Sequence, residues 1–268
     1  MQKTKIEWAT MTWNPVTGCF YNCPYCYAAR HVNRFGLPFA PMLGDPGMEG
    51  ACKYDTDEEG QDSMLELKRP YFNWHEGIRN SYPMGFAPTF HKYRLNEPEK
   101  YKKPQTVFVC SMADLFGNWV PKTWIERVFN ACKKAPQHRY VFLTKNGSRY
   151  QEFMRKMPDN MWFGQTITQS DLDWNYRHIV YPHKSWNRMT CIEPMQNSFP
   201  YFNAQNTGWV IIGAETGNRK GKVIPQRGWI ERIVDACRHD NKPVFMKRSL
   251  QEIWGEPLIQ EYPWEGGN

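Results

Sequence analysis

The segment Gly18-Cys19-Phe20-Tyr21-Asn22-Cys23-Pro24-Tyr25-Cys26-Tyr27-Ala28 places three thiols within eight residues, spaced C-x3-C-x2-C. Thiolates are soft ligands suited to iron–sulfur clusters and to zinc, and close spacing lets one loop wrap a compact metal centre. Three cysteines leave one iron of a four-iron cluster without a protein ligand, an open position at which a cofactor or substrate can bind. Zinc is the alternative, because Cys23, Cys26 and His31 have the C-x2-C-x4-H spacing of a zinc knuckle. No further Cys stands where a knuckle needs it, so Cys19 would have to complete a Cys3His site. Iron–sulfur therefore ranks ahead of zinc. Gly18, Asn22 and Pro24 mark the segment as a loop, which argues against simple burial of the thiols.

The other five cysteines read as structural or uncommitted. Cys110 and Cys191 fall in strand patterns, and Cys132 and Cys237 on apolar helix faces, where Cys behaves as a small hydrophobe. Cys52 has no clear context. Without a second cluster of thiols, an auxiliary iron–sulfur centre is not expected.

The elements that must position this loop follow a β-α rhythm. Strand-like runs occur at Val107–Cys110, Tyr140–Thr144, Trp162–Thr166, Met189–Glu193, Trp209–Gly213 and Val244–Lys247, with one more near Thr12–Val16. Ile125, Val128, Phe129 and Cys132 repeat at i, i+3, i+4, i+7 after Pro121, and Ile230, Ile233, Val234 and Cys237 repeat the same spacing. Ser148 is read as the N-cap of a helix carrying Tyr150, Phe153, Met154 and Met157. Repeated β-α units predict a parallel sheet, so the expected fold is α/β, a full or partial parallel (β/α) barrel; an open doubly wound sheet is second. The chain is read as one domain, 1–268. Within it, 37–104 breaks the rhythm as an irregular insertion or lid. Asp45 to Glu66 holds eight acidic residues and one Lys, whereas Lys68 to Lys103 holds eight Lys or Arg and three Glu.

The three-Cys spacing, with Tyr25 directly before the third Cys, resembles the radical S-adenosylmethionine superfamily. The chain looks most like a phage-associated branch of small radical-SAM-like proteins. That resemblance rests on Trp13-Asn14-Pro15-Val16-Thr17-Gly18-Cys19, Cys23-Pro24-Tyr25-Cys26-Tyr27-Ala28, Phe108-Val109-Cys110-Ser111-Met112-Ala113-Asp114-Leu115-Phe116, Leu143-Thr144-Lys145, Glu193-Pro194 and Ile212-Gly213-Ala214-Glu215-Thr216-Gly217. The branch usually has Gly-Gly-Glu-Ser-Gly where this chain has Gly213 to Gly217, and Ser111 to Asp114 replace the superfamily's Gly-Gly-Glu element. The resemblance implies a radical SAM barrel, a [4Fe–4S] cluster on Cys19, Cys23 and Cys26, and S-adenosylmethionine at the open iron. The implied activity is cleavage of that cofactor to methionine and a 5′-deoxyadenosyl radical, which abstracts hydrogen from substrate. An external electron donor is implied as a partner.

In parallel β/α folds, ligand-binding residues gather at the C-terminal ends of strands. Those ends carry Ser111, Asp114, Thr144, Lys145, Gln165, Thr166, Glu193, Gly213, Glu215 and Lys247. Leu143-Thr144-Lys145-Asn146 is similar to a segment of the spore photoproduct lyase branch, which implies that Lys145 meets the cofactor carboxylate. On the same resemblance Ser111 and Asp114 receive the methionyl ammonium, Gln165 or Thr166 the ribose hydroxyls, and Gly213 the adenine. Glu193 and Glu215 are candidates for facing cofactor or substrate, and Tyr25 belongs to the cofactor-binding set.

The composition bounds the partners. No apolar run approaches the roughly 18 residues of a membrane helix, and the first residues carry no signal-peptide core, so a cytoplasmic protein without membrane contact is expected. Net charge is +7, compatible with a phosphate-bearing partner. With the basic-aromatic stretch from Phe90 to Lys103 and the phage-associated resemblance, it favours a nucleic-acid base or nucleotide as substrate. A peptide or small metabolite stays open, as does oligomeric state. The competing class is a zinc-bearing nucleic-acid-binding or adaptor module without catalysis.

Overall fold

The computed structural model describes residues 1–35, 52–55, 64–73, 78–153, 156–170 and 186–265, with backbone alone at 35, 52–55, 64, 72–73 and 78–80. The chain divides into two compact units, Met1–Tyr140 and Val141–Asn268.

Unit 1 contains, in order, β1 (Gln2–Lys3), β2 (Met11–Trp13), β3 (Val16–Thr17), α1 (Tyr27–Phe35), β4 (Cys52–Asp55), β5 (Met64–Leu67), β6 (Tyr71–Asn73), β7 (Ile78–Asn80), β8 (Thr89–His91), α2 (Glu97–Lys100), β9 (Thr106–Val109) and α3 (Lys122–Lys134). Strand β10 (Arg139–Thr144) begins in this unit and ends in the next. Unit 2 continues with β11 (Met161–Ile167), β12 (Asn187–Ile192), β13 (Val210–Ile212), α4 (Arg227–His239), β14 (Val244–Met246) and α5 (Gln251–Trp254).

The fold is mixed α/β with a large, mostly parallel sheet of strand order β1-β2-β9-β10-β11-β12-β13-β14. Pairings β2–β9, β11–β12, β12–β13 and β13–β14 are parallel, and β1 is antiparallel to β2. The order has two ends, so the described strands form no closed barrel. All six apolar runs read from the sequence overlap β9 to β14, several running one residue past the strand, because β-branched runs have few other ways to bury both faces.

In unit 1, α3 buries Trp124, Ile125, Val128, Phe129 and Cys132 completely. Trp124 stacks on Phe90 at 5.1 Å and Phe129 meets Phe116 at 6.1 Å. Each such ring or aliphatic side chain contributes about 1.5–3 kcal/mol by leaving water. Lys133 and Lys134 in the last turn of α3 favour its negative end. In unit 2 the core joins Ile192, Val210, Ile212, Val244 and Met246 of the strands to Ile230, Ile233 and Cys237 of α4.

The 37–104 segment is less irregular than its sequence suggests. Its described part supplies β4, β5 and β8, which join β3 in a second sheet of order β3-β8-β5-β4, while β6 and β7 pair as a hairpin. The acidic half of this segment lies largely outside the described residues. The helix expected from Ser148 is instead a 3-10 segment, Gly147–Phe153. Ser148 does not cap it; its hydroxyl donates to Asn146 Oδ1 at 2.8 Å. No described helix is long and apolar enough to cross a membrane.

Candidate functional site

The cysteine loop of unit 1 is clamped at its start. Gly18 N–H donates to the Met112 carbonyl (2.8 Å), and Cys19 N–H to the Phe86 carbonyl (3.0 Å). Gly18 has φ +87°, and a Cβ there would lie 2.2 Å from the Ala87 carbonyl oxygen, so only glycine fits. Asn22, directly before Cys23, is left-handed at φ 50°, a conformation Asn tolerates better than most side chains. Cys26 N–H then donates to the Cys23 carbonyl (3.0 Å), and α1 starts at the next residue.

All three thiols are free and half-buried. Burial pushes Cys19 up to about 12; Asp114, Cys23 and Cys26 add to the rise, while a hydrogen bond with the Tyr21 backbone opposes it. Cys23 and Cys26 thus both lie within electrostatic reach of Cys19. Ala29 N–H donates to Cys26 Sγ at 3.4 Å. Backbone donors to sulfur stabilise a thiolate, and with three thiols on one loop the residues present fit a thiolate-ligated iron–sulfur cluster. Among the described residues, no group of three or more His, Cys, Asp and Glu side chains is gathered so as to hold a metal ion as it stands. His31 lies exposed on α1, its ring 6.3 Å from Tyr82.

Asn14 organises the strand end beside the loop. Its Oδ1 accepts from Ser111 Oγ (3.2 Å) and from Met112 N–H (3.0 Å). Asp114 is buried, and its Oδ1 accepts from Phe116 N–H (3.0 Å). Tyr25 is half-buried and its carbonyl accepts from Arg30. Trp119 lies against Gly117 and meets the rings of Phe20 (5.5 Å) and Tyr21 (4.8 Å). Cys110, expected within a strand, sits just past β9 with φ 58° and is buried.

In unit 2 the ends of β12, β13 and β14 bring Glu193, Gly213 and Lys247 together. Lys247 Nζ forms an ion pair with Glu193 Oε1, and both side chains are largely shielded. A Cβ on Gly213 would sit 3.1 Å from Lys247 Cδ and 3.3 Å from Glu193 Cγ, so the bare backbone makes room for the pair. Burial raises the Cys191 thiol and Glu193 adds to it, while Lys247 and Lys145 oppose. Lys145, one residue past β10, therefore lies within reach of the same group of charges.

Gln165 and Thr166 are not brought together. Neighbours on a strand face opposite sides, and Gln165 is 1% exposed while Thr166 is half-exposed. Gln165 Oε1 is buried with no hydrogen-bond partner among the described residues and lies against Gly147, where a Cβ would approach it to 2.7 Å. Glu215 is buried and its carboxylate is held by Arg219 in two bonds of 2.6 and 2.7 Å. Thr144 Oγ1 accepts from Asn146 N–H at 2.9 Å.

The basic-aromatic stretch serves structure in its first half. Phe90 and His91 are fully buried, and Arg94 donates to the Asn14 carbonyl. Lys100, Tyr101, Lys102 and Lys103 are exposed. Asn14 and Arg219 were not singled out in sequence. Asn14 lies in the Trp13-Asn14-Pro15 stretch, and the Glu215–Arg219 spacing of i, i+4 was the available signal for the other.

A family model described as "Protein of unknown function (DUF5131)" matches residues 3–257. The chain belongs to the DUF5131 family. No curated protein and no solved structure matches it. In this DUF5131 chain every residue of both groups described above, from Asn14 to Lys247, lies inside the matched span.

Proposed function

We propose that this DUF5131 protein binds a [4Fe–4S] cluster through Cys19, Cys23 and Cys26 and works with S-adenosylmethionine as a radical enzyme. The observation that carries this reading is the loop itself: three free, half-buried thiols within eight residues, at left-handed Gly18 and Asn22, with the Ala29 backbone N–H turned to Cys26 Sγ. When bound, the cluster supplies the electron that cleaves the sulfonium of S-adenosylmethionine. The protein's own residues bind and orient. Asn14 fixes Ser111 and the Met112 amide beside the loop, and Asp114 supplies the buried negative charge for an ammonium group.

Lys145 supplies a cation suited to a carboxylate. The buried Oε1 of Gln165, without a partner among the described residues, suits a ribose hydroxyl, because a buried acceptor left unpaired costs about 1–3 kcal/mol. The Glu193–Lys247 pair keeps two opposite charges at the strand ends, where either can hold substrate or exchange a proton. Glu215, tied to Arg219, is better suited to a positioning role. The parallel sheet supports a partial barrel of the radical SAM type. The substrate we propose is a nucleic-acid base or nucleotide, supported by the exposed run Lys100 to Lys103. The reading also carries an external electron donor and a cytoplasmic setting.

The test is metal content. Protein reconstituted anaerobically with iron and sulfide should hold about four irons and four sulfides per chain. The Cys19→Ala/Cys23→Ala/Cys26→Ala protein should hold none. One tightly bound zinc per chain and no sulfide would instead establish the zinc module.

A further inference from the structure

We propose that the loop between β13 and α4, residues 213–226, grips base-paired nucleic acid, with Lys220 and Lys222 on neighbouring phosphates and Ile224 as a wedge in the base stack. The inference rests on the nucleic-acid reading of the substrate and names the part of unit 2 that takes hold of it.

Three observations meet on this loop. The first is place. Strand-to-helix connections usually run about 2–6 residues, and ordered loops beyond about 12 are uncommon and usually functional. This one leaves β13 at Gly213, the residue that makes room for the Glu193–Lys247 pair. It is therefore rooted at the C-terminal strand ends, where ligands of parallel sheets bind. The root is tied down: Gly213 N–H donates to the Ile192 carbonyl (3.1 Å) and Ala214 N–H to Ser249 Oγ (3.0 Å).

The second is charge. The one acidic residue of the loop is Glu215, and its buried carboxylate is taken up by Arg219. Lys220 and Lys222 form no ion pair among the described residues; Lys220 is exposed, and Lys222 Nζ donates to the Gly217 carbonyl at 2.9 Å. Lys222 N–H donates to the Arg219 carbonyl (3.3 Å), closing a turn in which Gly221 is left-handed at φ +75° and Lys220 stands at the tip. The two lysines are two residues apart, at most about 7 Å along the chain, so they reach neighbouring phosphates of one strand. The third is Ile224, which is 67% exposed. A single exposed isoleucine means little by itself. This one follows Lys222 by two residues and precedes Pro225, which is buried. A β-branched side chain before a proline is stiff in both χ1 and backbone, so inserting it loses little entropy.

The kind of side chain decides between partners. Single strands are held on aromatic faces against which bases stack, and isoleucine has no such face. Aliphatic wedges work by parting the steps of a continuous stack, which a base-paired partner supplies. A base inside a duplex must leave the stack before chemistry reaches it. A wedge on a loop rooted at the Glu193–Lys247 group therefore serves the proposed reaction. Lying on a membrane takes a wider apolar face than one isoleucine offers. Insertion unstacks bases, and no covalent bond is made or broken.

The experiment uses full-length, reconstituted protein and two hairpins, one of DNA and one of RNA, each with 2-aminopurine in the stem, whose fluorescence rises when the base unstacks. Affinity is measured at several salt concentrations, and the two hairpins tell a DNA partner from an RNA one. The wild type should bind at least one hairpin with a rise in fluorescence. Lys220→Ala/Lys222→Ala should weaken binding and flatten the slope of log K against log salt by about 0.9 for each lost phosphate contact. Lys220→Arg/Lys222→Arg should keep the slope. Ile224→Ala should keep the slope and lose the fluorescence rise, and every variant should keep the wild-type urea midpoint. An unchanged slope in the lysine-to-alanine protein, or an unchanged fluorescence rise in Ile224→Ala, overturns the proposal while leaving the nucleic-acid reading in place. Lowered urea midpoints in all variants overturn it too, since the loop is then structural. Wild type that binds neither hairpin overturns it together with the nucleic-acid reading, and retention on anionic phospholipid vesicles in their place assigns the loop to a membrane. Hairpin binding is read whatever the iron content, so the iron–sulfur reading stands or falls separately.

Discussion

Gly18→Ala tests the clamp at the head of the cysteine loop. The native φ of +87° is a conformation that costs an L-residue about 1–2 kcal/mol. The new Cβ would also stand 2.2 Å from the Ala87 oxygen, 2.4 Å from its carbonyl carbon and 2.7 Å from Pro88 N. All three are backbone atoms, so no rotamer change relieves them, and overpacking of this kind costs about 1–3 kcal/mol. The two effects together predict a loss of about 2–5 kcal/mol, a large part of the roughly 5–15 kcal/mol that holds a typical domain folded. Gly85→Ala is the internal control. It has φ +57° but nothing among the described residues within 4 Å of its Cβ, so it should lose only the conformational part, about 1–2 kcal/mol. Urea unfolding followed by fluorescence and circular dichroism gives both values as midpoint shifts at constant slope. Equal losses in the two variants, or a Gly18→Ala loss below about 0.5 kcal/mol, would refute the backbone contact.

Arg127→Ala should destabilise by about 1–3 kcal/mol in urea unfolding, because it removes bonds of 2.8 and 2.9 Å from the buried Glu66 carboxylate. Glu66→Gln with Arg127→Ala should recover part of that loss. Arg238 holds Glu261 below the usual carboxylate value of 4.5 through paired 2.8 Å bonds. A depressed folded pKa stabilises above the unfolded value, and the gain is lost as pH falls through the folded one. The urea-midpoint gap between wild type and Arg238→Ala should therefore be full at neutral pH and close in acid. Gly213→Ala, whose near contacts are flexible side chains, should lose less than about 1.5 kcal/mol, against the larger loss at Gly18.

The parallel strands were legible because Val107, Val141, Ile211 and Val244 sit in apolar runs whose flanks repeat with helical spacing. The 64–91 region was not, because its strands are three or four residues long and carry buried polar groups. Glu66 sits between Leu65 and Leu67 with Arg127 as its partner, and Thr89 and His91 flank Phe90. Such positions look polar in sequence and become interior only through a partner distant along the chain. The same cause hid Asn14, whose two bonds reach 97 and 98 residues along the chain. The three thiols stand out in sequence by their local spacing alone. Their clamp at Phe86 and Met112 does not.

The most direct test of the central claim is EPR spectroscopy of the reduced, reconstituted protein with and without S-adenosylmethionine. The account predicts a [4Fe–4S]⁺ signal that changes when S-adenosylmethionine is added and is absent from Cys19→Ala/Cys23→Ala/Cys26→Ala protein. A signal that S-adenosylmethionine leaves unchanged would contradict an open iron, and a colourless protein holding zinc would contradict the cluster itself.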